Sequence, residues 1–582
     1  MSRARFTVAL TAAVTAVLHV PWALWLATGW GDLAAQEFWA DAADRYPGSA
    51  YNFATYGGLH VAGYSLISPY VMAWAGVRLA TAIAAVVAAA LVAVLVVRVA
   101  RVERAWVPSL VAAVVLTGNS VSGRSTFAIG TAFALAAVVL AFALPTPATR
   151  GGAAARVLGV ATCSALATLG SPVAGLYIGL LAAAVWLSAD DAEPGTRWTA
   201  RAATVVRRPL APRRVLAYAL GGPPAIVVLG TAALFPFSGE QPMPWVSVIA
   251  PTALGALTYT VAPRDWRTVR TLGLVYVVAV VGSWLVPSPI GTNITRLGLI
   301  FAGVLLATVV CSGRAVNPLA RFTHLPAWAT PAAAGALGAL IWALALPTLE
   351  AVQLRPHPVW TDGVDALTAE LHARGADLTR VEVVPARSHV ETPTLAPEFT
   401  LARGWNRQAD LARNPLFYGR TPLDATTYRA WLDRWAVGYV VVAPGSVDAH
   451  ARSEAELVAG GLDYLEPVWG GHGWQVYAVA DPSPLVSGPA EVIAADPAHL
   501  TVRARQAGEF VVKMLHSPWL GVVDADGRLL RDGRACIARD RVPDSGSARD
   551  GDAWTVLRVT EPGDYTIAAP YALDRGSPCP TP

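Results

Sequence analysis

The stretch from Gly31 to Val77 carries the ionisable residues that are best placed to do chemistry. It lies between two strongly apolar runs that have almost no charge, and it holds Asp32, Glu37, Asp41, Asp44, Arg45 and His60. In a chain that spans a membrane, ionisable groups gathered on one face mark functional sites. A carboxylate in such a place can act as a general base on a hydroxyl group.

Among the acidic residues, Asp32 is the first choice for a catalytic role, because a packed helix directly before it would fix its position. Its charge could equally serve only to mark the end of that helix. Glu37, Asp41 and Asp44 recur about one helical turn apart, which favours the solvated face of a short amphipathic helix, although Glu37 stays a candidate for substrate binding. His60 lies in GGLHVAGYSLISP, where glycines predict a tight entry into a re-entrant or interfacial segment. It is as compatible with a hydrogen-bonded interface residue as with a substrate-binding one.

Composition shows which elements must position these residues. The chain of 582 residues is 54% hydrophobic and 14% charged, whereas a soluble domain is about 25% charged. Charges are sparse from Arg5 to Leu349 and reach the density of a soluble protein from Glu350 onwards. The sequence therefore predicts a mainly α-helical membrane domain over 1–349, with a large first loop at 29–78, followed by a soluble part.

Apolar runs predict about eleven membrane-spanning helices, at roughly 6–28, 79–98, 106–121, 126–144, 155–169, 172–188, 215–235, 246–262, 271–287, 294–312 and 328–348. The first run is too long for a cleaved signal peptide and ends in Trp30. With the N-terminus inside, most arginines of this domain fall on the inside, and the outside segments hold only Arg45, Arg78, Arg124 and Arg296. We therefore expect a multi-pass plasma-membrane protein whose N-terminus is cytoplasmic and whose soluble part is extracytoplasmic.

Arg124 and Arg296 stand at the expected outer ends of apolar helices, where the topology rule disfavours cations. Arg296 follows GTNIT, whose polar groups, including Asn293, could share a site with it. A guanidinium is a permanently charged fork and suits a phosphate leaving group. The alternative is an internal ion pair to Asp32 or Glu240. Because the arginines do not cluster on one soluble face, a nucleic-acid partner is not expected.

The soluble part divides into an α/β domain over 350–485 and a β-sandwich over 486–582. The second is indicated by HLTVRAR, GEFVVKMLH, LGVVDADGRLL, WTVLRV and DYTIAA, with the turns DADG and EPGD fitting antiparallel hairpins. The segment 402–418, ARGWNRQADLARNPLFY, mixes aromatic and amide groups. That mixture suits sugar hydroxyls, and it suits packing of the loop on the membrane domain slightly better.

The chain has four cysteines. Cys163 and Cys311 fall inside predicted spans and are expected to be inert apolar residues. Cys536 and Cys579 fall in the part expected outside, where oxidation is allowed, and we predict that they form a disulfide.

Several well-known motifs are missing from the sequence: Walker A, GxSxG, HExxH and CxxC. No cofactor is therefore certain. A single carboxylate could still hold a divalent cation, Mg²⁺ or Mn²⁺, together with phosphates.

The order of these features resembles GT-C-type integral membrane glycosyltransferases, in particular an actinobacterial membrane-protein group of that build. The resemblance rests on the first helix, the large loop with its early acid, the GYSLISPY entry to the next helix, the many spans and the outer tail. It implies that Asp32 is the general base and that the donor is a polyprenyl-phosphate sugar. Many members carry a second acid at this point, whereas here Leu33 follows Asp32.

The resulting hypothesis is transfer of a sugar from a polyprenyl-phosphate donor to a cell-envelope glycan acceptor at the outer face of the bilayer. One alternative is a transporter or flippase of lipid-linked glycans, which would need polar groups at the bilayer midplane and broken helices in both halves. The other is an inactive relative that binds envelope glycans as a scaffold.

Overall fold

The structure, a computed structural model, describes residues 2–27, 31–189, 211–236, 239–316, 331–419, 423–543, 546 and 553–580. The chain forms two compact units. The first comprises Met1–Ala27, Tyr64–Leu234 and Gln241–Gln353, and the second comprises Thr28–Gly63, Phe235–Glu240 and Leu354–Pro582. Trp30 and the arginines at 197, 201, 207, 208 and 321 lie outside the described residues.

The first unit is helical. Eight helical segments among the described residues are long and apolar enough to cross a membrane: Arg3–Leu26, Val77–Ala100, Ser125–Phe142, Arg150–Gly170, Pro212–Leu234, Arg267–Leu285, Gly291–Cys311 and Pro331–Gln353. Three shorter apolar helices are Trp106–Val121, Pro172–Ser188 and Val246–Val261. Together they occupy the predicted spans, and the fold class is confirmed. A further short helix, Ser68–Ala75, precedes the second span.

Two short polar breaks separate helices that hydropathy alone could have merged. At the first, Gly123 has a φ of 70°, and Arg124 leaves the helical region before Ser125 starts the next helix. At the second, Ser171 is extended with φ −159° and ψ 117°, and Pro172 opens the following helix. Proline suits that first helical position because its missing N–H group has no helical partner there.

Small residues let two of these helices approach closely. A Cβ atom on Gly273 would lie 2.6 Å from the carbonyl oxygen of Gly255, and one on Gly255 would lie 2.9 Å from that of Gly273. The helices Val246–Val261 and Arg267–Leu285 therefore touch through their backbones, as is common in membrane helix packing.

The second unit contains a five-stranded mixed sheet. Its strands are β3 (Arg380–Val383), β4 (Thr400–Leu401), β5 (Val437–Val442), β6 (Leu465–Gly471) and β7 (Trp474–Val479), in the order β4-β3-β5-β7-β6. The first three are parallel, and β6 and β7 are antiparallel. The helices of this unit are Asp32–Arg45, Val359–Asp362, Val364–Ala373, Glu391–Leu395, Arg407–Arg413, Ala425–Trp435 and Arg452–Ala459.

The helix Ala425–Trp435 illustrates how the sequence sets these elements. Asp424 and Thr427 form a capping box at its start, which satisfies amide groups that lack helical partners. Its apolar positions, Tyr428, Trp431, Leu432 and Trp435, are buried. This helix is followed directly by strand β5, an alternation that agrees with the α/β pattern predicted for this part of the chain.

The carboxy-terminal strands form two antiparallel sheets, as predicted for a β-sandwich. One has the order β10-β13-β12 and the other β11-β14-β9-β8. The strands are β8 (Ala490–Ala495), β9 (His499–Ala504), β10 (Gly508–Leu515), β11 (Gly521–Val523), β12 (Ala535–Pro543), β13 (Ala553–Val559) and β14 (Gly563–Ala568). The predicted disulfide is present: Cys536 of β12 is bonded to Cys579.

One of the two predicted hairpins is wrong. The DADG turn does reverse the chain, since Val523 bridges Leu529 in antiparallel fashion. The EPGD turn instead leads from β13 in one sheet to β14 in the other. A turn sequence specifies a local reversal, but the partners of each strand are chosen by burial of its inner face.

Part of the first loop is built into the second unit. Strands β1 (Tyr51–Asn52) and β2 (Leu59–His60) form an antiparallel ribbon. Around them, Ser49 bridges Pro570 and Thr55 bridges Leu401. Residues 28–63 thus belong with the carboxy-terminal part, whereas the sequence analysis assigned the whole loop to the membrane domain. The predicted domain boundaries at 349 and 485 stay predictions.

Candidate functional site

Asp32 is the first residue of the helix Asp32–Arg45. Gly31 before it has φ 60° and ψ −134°, and its N–H group donates to the carbonyl oxygen of Ser388 at 2.8 Å. The side chain of Gln36 donates to the carbonyl oxygen of Asp32 at 3.2 Å. A carboxylate at a helix N-terminus is stabilised by the helix dipole. The partly buried Asp32 is therefore held at a defined point of the second unit.

The other acids of this helix differ in exposure. Glu37 is partly buried and Asp44 is exposed. Asp41 pairs with Arg45 at 2.9 Å; burial raises the pKa of Asp41, and the charge of Arg45 opposes that rise. The predicted solvated face is thus narrow, because most of the helix, including Phe38 and Trp39, is buried.

His60 lies in an aromatic cluster. Its ring centroid is 4.8 Å from that of Tyr51 and 5.7 Å from that of Phe235, and Phe235 stacks on Trp519 at 5.0 Å. The Nε2 atom of His60 is 3.4 Å from the hydroxyl oxygen of Ser517. These contacts all lie within the second unit. The two predicted roles of His60, at the membrane interface and in substrate binding, both stay predictions.

A second histidine, which sequence reasoning missed, lies next to the residues that hold Gly31. The Nδ1 atom of His389 is 3.2 Å from a carboxylate oxygen of Glu391, and its Nε2 atom is 3.8 Å from one of Asp448. Asp448 also pairs with Arg407 at 2.8 Å. Burial disfavours charge on the ring, but Glu391 and Asp448 outweigh it and raise the pKa of His389. The only feature of the sequence that could have pointed to His389 is the acid two residues later, Glu391.

In the first unit, Arg124 precedes the helix Ser125–Phe142, and its side chain is 12% exposed. Its guanidinium is 3.8 Å from a carboxylate oxygen of Glu350, which also accepts a hydrogen bond from Ser122 at 3.0 Å. An ion pair was one of the two predicted roles of Arg124, but Glu350 was not among the partners that the sequence suggested.

Arg296 and Arg124 both lie within electrostatic range of Tyr177. The guanidinium of Arg296 lies 5.9 Å from the ring centroid of Phe127, whose ring packs edge-on against that of Tyr177 at 5.7 Å. The Tyr177 hydroxyl is within electrostatic range of both guanidiniums, and it donates to the carbonyl oxygen of Asn293 at 2.5 Å. We call Arg124, Phe127, Tyr177 and Arg296 the two-arginine cluster.

One member of this cluster, Tyr177, lines an apolar cavity of about 510 Å³. Tyr177 lines it at one end together with Leu297, the residue after Arg296, and Thr308 lines it further along the same helical segment. The distance from 297 to 308 is roughly 16 Å along a helix axis. Most of the lining is aliphatic, and the far end is marked by polar groups: Arg213, Asp265, Arg267 and Thr268.

The segment 402–418 serves largely as a core of the α/β fold. The buried guanidinium of Arg403 donates to Asp410 at 2.9 Å and to Glu454 at 2.8 Å, and it lies 3.8 Å from the ring centroid of Phe417. A Cβ atom on Gly239 would lie 2.6 Å from the carbonyl oxygen of Gln408. These contacts lie within the second unit, so the predicted packing on the membrane domain and the sugar-binding role both stay predictions.

The predicted site residues therefore fall into two sets. Asp32, Glu37 and His60 belong to the second unit, whereas Arg124, Asn293 and Arg296 belong to the first. Asn293 contributes its carbonyl group to Tyr177, and its side-chain amide donates to Pro289 at 3.4 Å. Within the residues that the structure describes, no group of three or more His, Cys, Asp or Glu side chains could hold a metal ion.

Residues 487–582 match the model of a family described as a domain of unknown function, DUF8823. No curated protein matches the chain. Among solved structures, the chain is similar to the arabinofuranosyltransferase AftD from Mycobacteria, with 15% identity and a TM-score of 0.43. That match covers 98% of this chain and 58% of AftD, so the chain spans little more than half the length of that protein.

Two further solved structures are similar. The oligosaccharyltransferase of Archaeoglobus fulgidus matches 82% of this chain and 74% of its own, with 12% identity and a TM-score of 0.44. ArnT from Cupriavidus metallidurans, solved bound to undecaprenyl phosphate, matches 82% and 98%, with 13% identity and a TM-score of 0.43. These likenesses concern architecture alone, a polytopic helical domain followed by a sheet-containing region.

Proposed function

We propose that this chain is an integral membrane glycosyltransferase that moves a sugar from a polyprenyl-phosphate donor to a cell-envelope acceptor at the outer face of the bilayer. The observation that carries the proposal is the two-arginine cluster at one end of an apolar cavity. A polyprenyl-phosphate sugar has a matching division, with a negatively charged phosphodiester at its head and a long apolar tail.

The head of such a donor would lie against Arg124 and Arg296. Charge-assisted hydrogen bonds from guanidinium groups to phosphate are short and geometrically specific, and they strengthen where water is excluded. The first isoprene units of the tail would enter the cavity from Tyr177 and Leu297. A path of roughly 16 Å covers about half of a hydrocarbon core of about 30 Å, so the rest of the tail would extend into lipid.

The reaction needs a base for the acceptor. In the proposed step the Asp32 carboxylate takes the proton of the acceptor hydroxyl, and the oxygen attacks the anomeric carbon of the donor sugar. The bond from that carbon to the phosphate oxygen breaks, and the polyprenyl phosphate leaves with the electron pair. Glu37, His60 and Asn293 are proposed contacts to the two sugars.

Lipid binding tests the first half of the proposal. The full-length protein in nanodiscs is titrated with undecaprenyl phosphate, and binding is followed by native mass spectrometry. We expect Arg296→Gln and Arg124→Gln each to weaken binding at least tenfold. Arg98→Gln removes an exposed cation elsewhere in the first unit and should leave binding unchanged. Equal affinity of all four proteins would refute the donor site.

Transfer tests the second half. Nanodiscs receive a panel of radiolabelled polyprenyl-phosphate sugars and envelope glycan acceptors, and labelled glycan is measured. Asp32→Asn is expected to abolish transfer, whereas Asp44→Asn, which changes an exposed acid of the same helix, should not. Glycan products that are unchanged by Asp32→Asn would sink the catalytic role. Movement of the lipid-linked sugar across the bilayer without transfer would support the transporter instead.

A further inference from the structure

The residue before Asp32 is fixed by a single turn of the α/β domain. Gly31 has a φ of +60°, a region that side-chain-bearing residues seldom adopt, and its ψ of −134° is accessible essentially to glycine alone. A Cβ atom there would lie 2.8 Å from Cδ1 of Leu354. The N–H group of Gly31 donates to Ser388 at 2.8 Å, so the backbone entering Asp32 depends on where the Ser388 carbonyl points.

The turn that carries Ser388 is held from the opposite side. The N–H group of Arg387 donates to the carbonyl oxygen of Ser446 at 2.9 Å, and that of Asp448 donates to Pro385 at 2.8 Å. The helix Glu391–Leu395, which follows the turn, packs against the helix Asp32–Arg45. Ser388 itself is buried. The turn is therefore a rigid connection between the sheet and the start of the Asp32 helix.

His389 is the strained residue of this turn. Its φ is +55°, an uncommon conformation for a residue with a side chain. Its ring lies between the carboxylates of Glu391 and Asp448 at 3.2 Å and 3.8 Å, and Arg407 pairs with the same oxygen of Asp448 at 2.8 Å. Pairing of the ring with two carboxylates compensates for the backbone strain.

We propose that His389 is a positioning residue for Asp32: its contacts with Glu391 and Asp448 lock the turn whose Ser388 carbonyl holds Gly31. This inference rests on the proposed function in giving Asp32 its catalytic role. His389 itself touches no reacting group. Its effect passes through the backbone from 388 to 31 and changes where the carboxylate is held.

Hydrogen exchange of the full-length protein in nanodiscs tests the connection without any substrate. His389→Asn keeps a residue that tolerates a positive φ and removes the imidazole. We expect amides 31–36 to exchange at least tenfold faster than in the wild type, and by a clearly larger factor than the amides in the rest of the second unit. The matched control is His472→Asn, which changes another histidine with a φ of +55° in the β6–β7 turn.

Transfer assays give the functional readout. In His389→Asn the initial rate of transfer from polyprenyl-phosphate sugars should fall at least fivefold, while the Kd for undecaprenyl phosphate stays at the wild-type value. Unchanged exchange at 31–36, or an acceleration there that is no larger than in the rest of the second unit, overturns the proposal. If the wild type transfers no sugar, the proposed function fails, and the exchange comparison with His472→Asn still decides the positioning role.

Discussion

Arg403 shows how a single buried charge can hold a fold. Its guanidinium bonds Asp410 and Glu454 and lies 3.7 Å from Glu382. Burial and the neighbouring charge of Glu454 raise the pKa of Glu382 well above its usual value, which favours the protonated form of this acid. A network of this kind stabilises the fold only while every member is present.

We expect Arg403→Met to destabilise the second unit by about 3–5 kcal/mol, the usual cost of leaving buried carboxylates without their cation. Thermal unfolding followed by tryptophan fluorescence measures the effect. The matched control is Arg503→Met, which removes an exposed pair with Asp564 and should change stability little, because water screens exposed ion pairs. Similar losses for both variants would contradict a special role for Arg403.

His389 makes the stability of the second unit depend on pH. Because Glu391 and Asp448 outweigh burial and raise the pKa of His389, its contribution is complete below the ordinary pKa of about 6.5 and is lost as pH rises through the raised value. We expect His389→Asn to lower Tm more at pH 6 than at pH 9. Thermal scans of the variant and the wild type at both pH values measure the effect. An equal decrease of Tm at pH 6 and pH 9 would contradict the predicted pH dependence.

At the scale of elements, the disulfide ties the last residues of the chain to β12. It joins positions 43 residues apart, and in the chain-entropy model a loop of that size stabilises by about 4 kcal/mol. Cys536→Ser combined with Cys579→Ser should therefore lower the Tm of the second unit, and a reducing agent should do the same to the wild type. If neither treatment changes the Tm, the disulfide does not contribute to the stability of the β-sandwich.

Sequence patterns predicted the elements well where burial is periodic. The membrane spans, the helix at 425–435 and strands β9, β10 and β13 follow from hydropathy and alternation alone. Strands β8 and β12 were missed, since AEVIAA and ACIARDRVP have no clear alternation of apolar and polar residues. The EPGD turn was assigned to a hairpin because strand partners in a sandwich are set by contacts distant in sequence.

The candidate site could be predicted only in part. Sidedness predicted only that Arg124 and Arg296 lie on the same face, and the structure adds that both are within electrostatic range of Tyr177. The partners Glu350 and Tyr177, and the turn at His389, depend on contacts between residues more than fifty positions apart. Such contacts leave no local pattern in a single sequence.

At the scale of the whole molecule, the arginine asymmetry predicts that the carboxy-terminal domains lie outside the cytoplasm. In a background with Cys163→Ser and Cys311→Ser, we expect a membrane-impermeant maleimide to label Asp526→Cys on intact cells and to leave Arg98→Cys unlabelled until the cells are opened. Asp526 is 73% exposed and Arg98 is also exposed. The reverse labelling pattern would show that the topology is opposite to the predicted one, and it would rule out a reaction at the outer face.

The participation of residues 28–63 in the second unit has a consequence for biogenesis. The Tyr51 hydroxyl bonds the carbonyl oxygen of Leu515, 464 positions later. At about 5–20 residues per second, a ribosome needs roughly 20 to 90 s to supply that partner. During this interval the early segment waits with its aromatic side chains uncovered while the intervening helices are inserted. We therefore expect nascent chains to need a holding factor, a chaperone or the translocon itself, until synthesis is almost finished.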